Sequence, residues 1–299
     1  MTALEAGTRI RLSNILFLTD FSAPSEAALP FAIAIARAYG AQVHALDVLL
    51  PTPAVYTTPE FTVAAIEAAE EYAQAEMQRL ASQLTGLPHD TAIERGIAIW
   101  PSVEQAIKDD HIDLVILGTH GRTGAQKLLL GSVAEEIFRR SPVPVLTIGP
   151  GVRTGTHNDA RFRRVLFATD FSPHSLGAFP YAVSFAQENQ AHLTLLHIIP
   201  DTKVGHAAIV DEILAAKPLS HLNALLPKEA DLWCCPEAIV EQGDPGSRIL
   251  EVAKDHGADL IVLGVRSAAG RLGAATHLER AIAHKIVAHA QCPVLTVRR

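Results

Sequence analysis

Short apolar runs alternate along this chain with longer segments that have helical spacing. Runs such as 114–117 (LVIL) contain no polar position, which is typical of strands buried on both faces of a parallel sheet. In the N-terminal half, the pattern predicts strands near Asn14–Thr19, Val43–Leu49, Thr91–Arg95, Leu114–Gly118 and Val145–Ile148. It predicts helices over Ser22–Tyr39, Glu60–Leu84, Val103–Asp109 and Ser132–Arg139. Strands that alternate with helices indicate an α/β fold, with an open, mostly parallel five-stranded sheet flanked by helices.

Three blocks of sequence occur twice, in the same order. Residues 15–22 (ILFLTDFS) return at 165–172 (VLFATDFS), 112–118 (IDLVILG) at 258–264 (ADLIVLG), and 143–148 (VPVLTI) at 292–297 (CPVLTV). The nearly constant spacing predicts two copies of one domain, at 1–149 and 163–299, joined by a polar linker at 150–162. Ser22 and Ser172 stand where the N-cap of the first helix belongs in each copy.

Charge and composition narrow the classes of partner. The formal net charge is −7, and residues 1–150 hold 10 Lys+Arg against 17 Asp+Glu, so all of the net negative charge lies in the first copy. This balance argues against binding to nucleic acid or to an anionic membrane surface. The first residues lack the apolar core of a signal peptide, and the three cysteines suggest no disulfide framework. We therefore expect a reduced, cytoplasmic protein.

Candidate binding residues follow two of the predicted strands. Ligands of open α/β sheets bind beyond the carboxyl ends of the strands, where the strand order switches. Thr19 and Asp20 follow the first strand, the segment 118–124 (GTHGRTG) follows the fourth, and Gly131 and Ser132 open the next helix. Glycines let the backbone approach an oxyanion, and the N–H groups at a helix start donate to it. This arrangement predicts a nucleotide site built mostly from main chain, to which Arg122 adds positive charge.

Plainer interpretations compete with each of these assignments. Asp20 could support the start of the first helix instead of contacting a ligand, and His120 has no carboxylate partner in view that would make it a general base. His277, His284 and His289, together with the cysteines, raise the alternative of a zinc site in the second copy. However, no pair has the usual spacing of zinc ligands.

The motifs after the first and fourth strands resemble those of the universal stress protein family. The resemblance rests on Thr-Asp-Phe-Ser at 19–22 and on Gly118-x2-Gly121-x9-Gly131-Ser132, covers nearly the whole chain as a tandem pair, and matches the ATP-binding branch of the family. It implies that Asp20 contacts the adenosine and that the main chain of Val48 lies beside the adenine. It also implies that ribose and phosphates, with Mg²⁺, are held by Gly118, Gly121, Gly131, Ser132 and the Val133 N–H.

The same resemblance implies that the last strands of the two domains pair with each other in an intrachain pseudo-dimer. The second copy departs from the nucleotide motif, because Gly121 becomes Ser267. Depending on the register, either His277-Leu278 or Arg280-Ala281 replaces Gly131-Ser132. We therefore expect the second copy to bind ATP weakly or not at all.

The sequence favours an ATP-binding stress-response protein that acts by nucleotide-dependent regulation. No evident base, nucleophile or arginine finger accompanies the phosphate-binding residues, so at most slow hydrolysis is expected. The alternatives are a slow nucleotide hydrolase, or a second domain that binds a non-nucleotide small molecule or zinc. Regulatory protein partners and a homodimer of whole chains are further possibilities that the sequence leaves open.

Overall fold

The computed structural model describes residues 10–51, 59–119, 130–152, 160–201, 208–227, 230, 234–266 and 274–298, with the backbone alone at 59–62, 208–214 and 274–280. Each predicted repeat contains five strands within these ranges. They are β1 (Asn14–Leu18), β2 (Gln42–Leu49), β3 (His89–Arg95), β4 (Leu114–Gly118), β5 (Val145–Ile148), β6 (Arg164–Ala168), β7 (His192–Ile199), β8 (Cys235–Gln242), β9 (Leu260–Val265) and β10 (Val294–Arg298).

The helices of the described ranges connect these strands. They are α1 (Ala23–Glu26), α2 (Leu29–Tyr39), α3 (Pro59–Gln83), α4 (Ile99–Asp109), α5 (Ser132–Arg140), α6 (Pro173–Leu176), α7 (Phe179–Asn189), α8 (Ala208–Leu225), α9 (Pro245–Asp255) and α10 (Ala274–His289). None of the helices in the described part of the chain has both the length and the apolar character needed to span a bilayer.

The described strands form one sheet in the order β3-β2-β1-β4-β5-β10-β9-β6-β7-β8. All neighbouring strands are parallel except β5 and β10, which pair antiparallel with Leu146 opposite Leu295. The Thr147 and Thr296 hydroxyls each donate to a carbonyl oxygen of the opposite strand, at 3.2 Å. The predicted α/β fold and the pairing of the two last strands are thus confirmed, and the two five-stranded sheets join into one.

Two of the predicted helices differ from the observed ones. The predicted helix Ser22–Tyr39 is split into α1 and α2, because Pro30 lies in the first turn of α2 and has no N–H with which to continue α1. Helix α4 begins at Ile99, four residues before the prediction, since Pro101 is accommodated in its first turn. The predicted N-caps are confirmed: the Ser22 Oγ accepts the Ser25 N–H at 3.5 Å, and the Ser172 Oγ accepts the Ser175 N–H at 3.2 Å.

Aromatic side chains join the two repeats on one face of the sheet. Phe162, which the sequence assigned to the polar linker, is only 2% exposed. Its ring stacks on Phe31 of α2 at 6.0 Å and meets Phe185 of α7 edge-on at 5.4 Å. The Tyr39 hydroxyl also lies 3.0 Å from the Ser184 Oγ. The end of the linker is therefore part of the apolar core that unites α2 with α7.

Candidate functional site

The sheet order reverses between β1 and β4, and this switch point lies at the carboxyl ends of both strands. Phe17 pairs with Ile116, so continuing the register brings Thr19 level with Gly118. The Thr19 N–H donates to the Leu46 carbonyl oxygen at 3.0 Å, which holds the end of β1 against β2. The predicted residues at the carboxyl ends of β1, β2 and β4 therefore lie along one edge of the first domain.

The turn after β1 fixes the Asp20 carboxylate. Asp20 is half-buried, and its Oδ1 accepts the Ser22 N–H at 3.1 Å and the Ser22 hydroxyl at 2.5 Å. Phe21 adopts φ +58°, a left-handed conformation that is unusual for a non-glycine residue, and Phe171 repeats it at +62°. The role of Asp20 at the start of the first helix is thus confirmed, whereas its contact with a ligand stays a prediction.

Gly118 is required by the packing of α1 on the end of β4. A Cβ at Gly118 would lie 2.5 Å from the Pro24 carbonyl oxygen, and one at Gly264 would lie 2.2 Å from the His174 carbonyl oxygen. Both distances are far below any real carbon–oxygen contact, and the opposing atoms belong to the backbone. This packing explains why Gly264 is present in the copy where Ser267 replaces Gly121, and it gives Gly118 a function independent of any ligand.

Helix α5 begins directly beyond the end of β4. The Gly131 N–H donates to the Thr119 carbonyl oxygen at 2.8 Å, and the Gly131 carbonyl accepts the Glu135 N–H at 2.8 Å. Gly131 has an extended conformation with φ −60° and ψ 147°, and no side chain among the described residues caps the helix. The N–H groups of Ser132, Val133 and Ala134 form the first turn, where donors lack intrahelical partners. Within the described residues, a helix start without a side-chain cap therefore lies beside the switch point.

The second domain has no helix start at this place. Helix α10 begins at Ala274, ahead of both 277–278 and 280–281, the two positions that can correspond to Gly131-Ser132. The helix is continuous through both positions, so the N–H groups from residue 278 onward are used in i→i−4 hydrogen bonds. The backbone donors that α5 presents in the first domain are therefore absent from the matching positions of α10, within the described backbone.

The helices that follow β3 and β8, α4 and α9, also differ in whether a side chain caps their first turn. In the second domain, the Asp244 carboxylate caps α9 by accepting the Ser247 N–H at 2.9 Å, and the Lys285 Nζ lies 2.8 Å from the same oxygen. The hydrogen bonds from Lys285 and Ser247 lower the pKa of Asp244 to about 2. In the first domain, α4 follows Ala98, which has no side-chain capping group. The start of α9 is thus capped by side chains of the second domain. The matching start of α4 in the first domain has no side-chain cap among the described residues.

A buried carboxylate beside the site was missed in the sequence analysis. Asp47, only 3% exposed, precedes Val48 at the carboxyl end of β2. In the second domain His197 stands at the same place, where its Nδ1 donates to the Thr169 carbonyl oxygen at 2.8 Å and its ring lies 4.6 Å from that of Phe171. A carboxylate between apolar residues near the end of a predicted strand was the signal that could have identified this position.

Two residues of the predicted site, Gly121 and Arg122, lie outside the described residues, as does the neighbouring His120. Val48 is half-buried in β2 and packs against the core beneath α4 and α5. Ser132 is exposed at the start of α5, and Val133 is half-buried beside it. The structure therefore brings together Thr19, Asp20, Val48, Gly118, Gly131, Ser132 and Val133 at one edge, and their contacts with a nucleotide stay predictions.

The cysteines and histidines of the second domain do not support the zinc alternative where they are described. Cys234 and Cys292 are buried and Cys235 is exposed, and none of these three described residues forms a disulfide bond. Burial, with a smaller contribution from the charge of Asp259, raises the pKa of the Cys292 thiol to about 12, which keeps the thiol protonated. Among the residues that the structure describes, no three His, Cys, Asp or Glu side chains are grouped as metal ligands.

Comparison with known proteins assigns the family. The sequence model of the Universal stress protein family matches residues 12–149 and 161–298. The universal stress protein YxiE of Bacillus subtilis is 32% identical over 150 residues, which are 46% of this chain and 99% of that protein. A universal stress protein of Mycolicibacterium smegmatis is 26% identical over 296 residues, 95% of this chain and 97% of its own.

A solved structure extends the likeness to the whole fold. The crystal structure of a universal stress protein from Archaeoglobus fulgidus superposes with a TM-score of 0.67 at 21% identity, covering 98% of both chains. Because the superposition includes nearly every residue of each chain, the two folds match over both repeats and not over one repeat alone. With both repeats matched by the family's sequence model, this chain belongs to the universal stress protein family, in its tandem two-domain form.

Proposed function

We propose that this chain is a cytoplasmic stress-response protein that binds one ATP, with Mg²⁺, in its first domain. The observation that carries the proposal is the uncapped start of α5 at Gly131, which is hydrogen-bonded to Thr119 beside the switch point of the sheet. Free backbone N–H groups and the positive end of a helix dipole favour phosphate at such a place. The second domain has a continuous helix there and would bind ATP weakly or not at all.

Several residues of the site have distinct proposed roles in holding the nucleotide. The Asp20 carboxylate, held by Ser22, would accept hydrogen bonds from the adenosine, and the main chain of Val48 would lie beside the adenine. The N–H groups of Ser132 and Val133 would donate to phosphate oxygens. From the sequence, Gly121 and Arg122 would close the loop over the phosphates and add positive charge.

Mg²⁺ fits this site as a companion of the phosphates. It prefers oxygen ligands and usually keeps several waters, so phosphate oxygens and water would supply most of its coordination. The described residues offer no group of three carboxylates or imidazoles that would hold a metal without the nucleotide. Bound Mg²⁺ would neutralise part of the phosphate charge, while the protein residues orient the nucleotide.

The proposed action is regulation by binding and not turnover. The described part of the site supplies hydrogen-bond donors and a dipole, and the Asp20 carboxylate is engaged by Ser22. Phosphoryl transfer needs a positioned water or acceptor, together with positively charged groups that stabilise the charge on the phosphates in the transition state. A slow hydrolase is therefore the less favoured alternative. Regulatory protein partners that recognise the ATP-bound form would produce the effect on the stress response.

Trp100 offers a reporter for the test of ATP binding. It is 4% exposed in the first domain, and the Arg140 guanidinium of α5 lies 4.9 Å from its ring centroid. The other tryptophan, Trp233, belongs to the second repeat. In a Trp233→Phe variant of the full chain, tryptophan emission therefore reports on the first domain alone.

With this variant, saturating Mg²⁺-ATP should raise the midpoint of thermal unfolding followed by Trp100 emission. At a hundred times the Kd, binding stabilises the domain by about 2.7 kcal/mol. ADP should act more weakly than ATP, and adenosine much more weakly, because the proposed site holds mainly phosphate. Equal shifts with ATP and adenosine would argue against the role of α5, and no shift with ATP would overturn the proposed function.

A further inference from the structure

The helix that carries the proposed phosphate site is held at its far end by the second domain. The Arg298 guanidinium, at the end of β10, donates through Nη2 to the Phe138 carbonyl oxygen in the last turn of α5. Its Nη1 donates to the Arg266 carbonyl oxygen at 3.2 Å. One side chain of the second domain therefore joins the carboxyl end of α5 to the backbone that follows β9.

Apolar packing reinforces this junction. The Phe138 ring is 3% exposed and forms a small separate cluster with Val265 and Ala283 of the second domain. The Arg298 guanidinium also lies 5.9 Å from the centroid of that ring. The hydrogen bond to the Phe138 carbonyl is part-buried beside this cluster, and a hydrogen bond away from bulk water is stronger than a fully exposed one.

The opposite end of α5 also reaches the second domain, through the backbone. Gly131 is hydrogen-bonded to Thr119, whose own N–H donates to the Ile148 carbonyl oxygen at 2.9 Å. The next residue, Gly149, lies against the carboxyl end of α10, where an added Cβ would be 3.5 Å from the Ala290 carbonyl oxygen. Both ends of α5 are thus positioned with respect to the second domain.

These contacts bear directly on how α5 presents its first N–H groups. A helix of nine residues is short and stiff, so a shift at its carboxyl end is transmitted to its start. The last carbonyl oxygens of a helix lack intrahelical partners, and a positive charge there complements the dipole. Arg298 supplies both a donor and a positive charge at the end opposite the proposed phosphate site.

We infer that Arg298 is a positioning residue for the ATP site of the first domain, so that the second domain supports a site it does not itself contain. This inference rests on the proposed function. It gives the second domain, which lacks the phosphate-binding helix start, a reason to be retained beside the first. Arg298 would act through α5 and touch no nucleotide.

The test measures the affinities for ATP and for adenosine of four full-length proteins. They are the wild type, Arg298→Gln, Arg298→Lys and a control variant, Arg140→Gln. Arg140 lies in the same last turn of α5 but is paired with Glu136 within the helix, so its loss removes a charge and no contact between domains. We expect Arg298→Gln to weaken ATP binding roughly tenfold. Arg298→Lys should weaken it less, and the adenosine affinity should stay unchanged in every variant.

A purely structural role for Arg298 would lower the ATP and adenosine affinities together, and that result would overturn the inference. So would an unchanged ATP affinity in Arg298→Gln, or an Arg140→Gln variant that loses as much as Arg298→Gln. If Arg298→Gln does not fold, the comparison of Arg298→Lys with the wild type decides by the same criterion. A wild-type chain that binds no ATP would overturn the proposed function, and this inference with it.

Discussion

Gly131→Asp should abolish ATP binding and leave the first domain at least as stable as the wild type. Gly131 has φ −60° and ψ 147°, which any residue can adopt, and it occupies the N-cap position of α5. Aspartate is a favoured N-cap residue, so its carboxylate would accept the N–H groups that phosphate is proposed to use. Its negative charge would also repel the phosphates. We expect the ATP affinity to fall at least a hundredfold, which is about 2.7 kcal/mol.

A Gly131→Ser variant separates capping from charge. A serine hydroxyl competes for the same N–H groups but carries no charge, so its ATP affinity should lie between those of the wild type and Gly131→Asp. Unfolding midpoints of all three proteins, followed by Trp100 emission without nucleotide, check that the fold is intact. If Gly131→Asp binds ATP as tightly as the wild type, the start of α5 is not the phosphate site.

Replacing either strand-end glycine with alanine should strongly destabilise the domain that contains it. The added Cβ of Gly118→Ala would lie 2.5 Å from the Pro24 carbonyl oxygen, and that of Gly264→Ala 2.2 Å from the His174 carbonyl oxygen. Neither obstacle is a side chain that could rotate away, so α1 or α6 would have to move. Overpacking of this kind costs about 2 kcal/mol or more, and the effect should be larger at Gly264.

Gly149→Ala is the matched control, because its nearest atom would be the Ala290 carbonyl oxygen at an ordinary 3.5 Å. Denaturant unfolding of the three variants should give a large loss for Gly118→Ala and Gly264→Ala and little change for the control. The loss at Gly264 is expected with no nucleotide present. If Gly264→Ala were as stable as Gly149→Ala, packing would not explain why this glycine occurs in both repeats.

Most of the fold was predictable, because it is determined by features of short sequence segments and by blocks of sequence that occur twice. Apolar runs without polar positions marked the strands, and the repeated blocks placed the two domains and their last strands. The break between α1 and α2 was missed, since Pro30 can be read as part of one helix unless the lost donor is counted. The early start of α10 was missed as well, because nothing in the motif spacing specified where that helix begins.

The site was predictable only in part, because several of its features depend on distant contacts. The positions of Asp20 and Gly131 followed from where they stand relative to the predicted strands and helices, whereas that of Val48 came from the resemblance to the family. The packing role of Gly118 depends on the approach of α1, which no sequence spacing gives. The contact of Arg298 with Phe138 joins residues 160 positions apart, and it arises only when the two repeats pair through their last strands.

The most direct test of the account is the stoichiometry of ATP binding to the full chain, measured by calorimetry in the presence of Mg²⁺. We expect one ATP site per chain, present in the wild type and lost in Gly131→Asp. Two sites per chain would contradict the argument from α10 that the second domain binds no ATP. A single site that survives in Gly131→Asp would contradict the assignment of that site to the first domain. If the chain bound no ATP, the proposed ATP-binding function would be wrong.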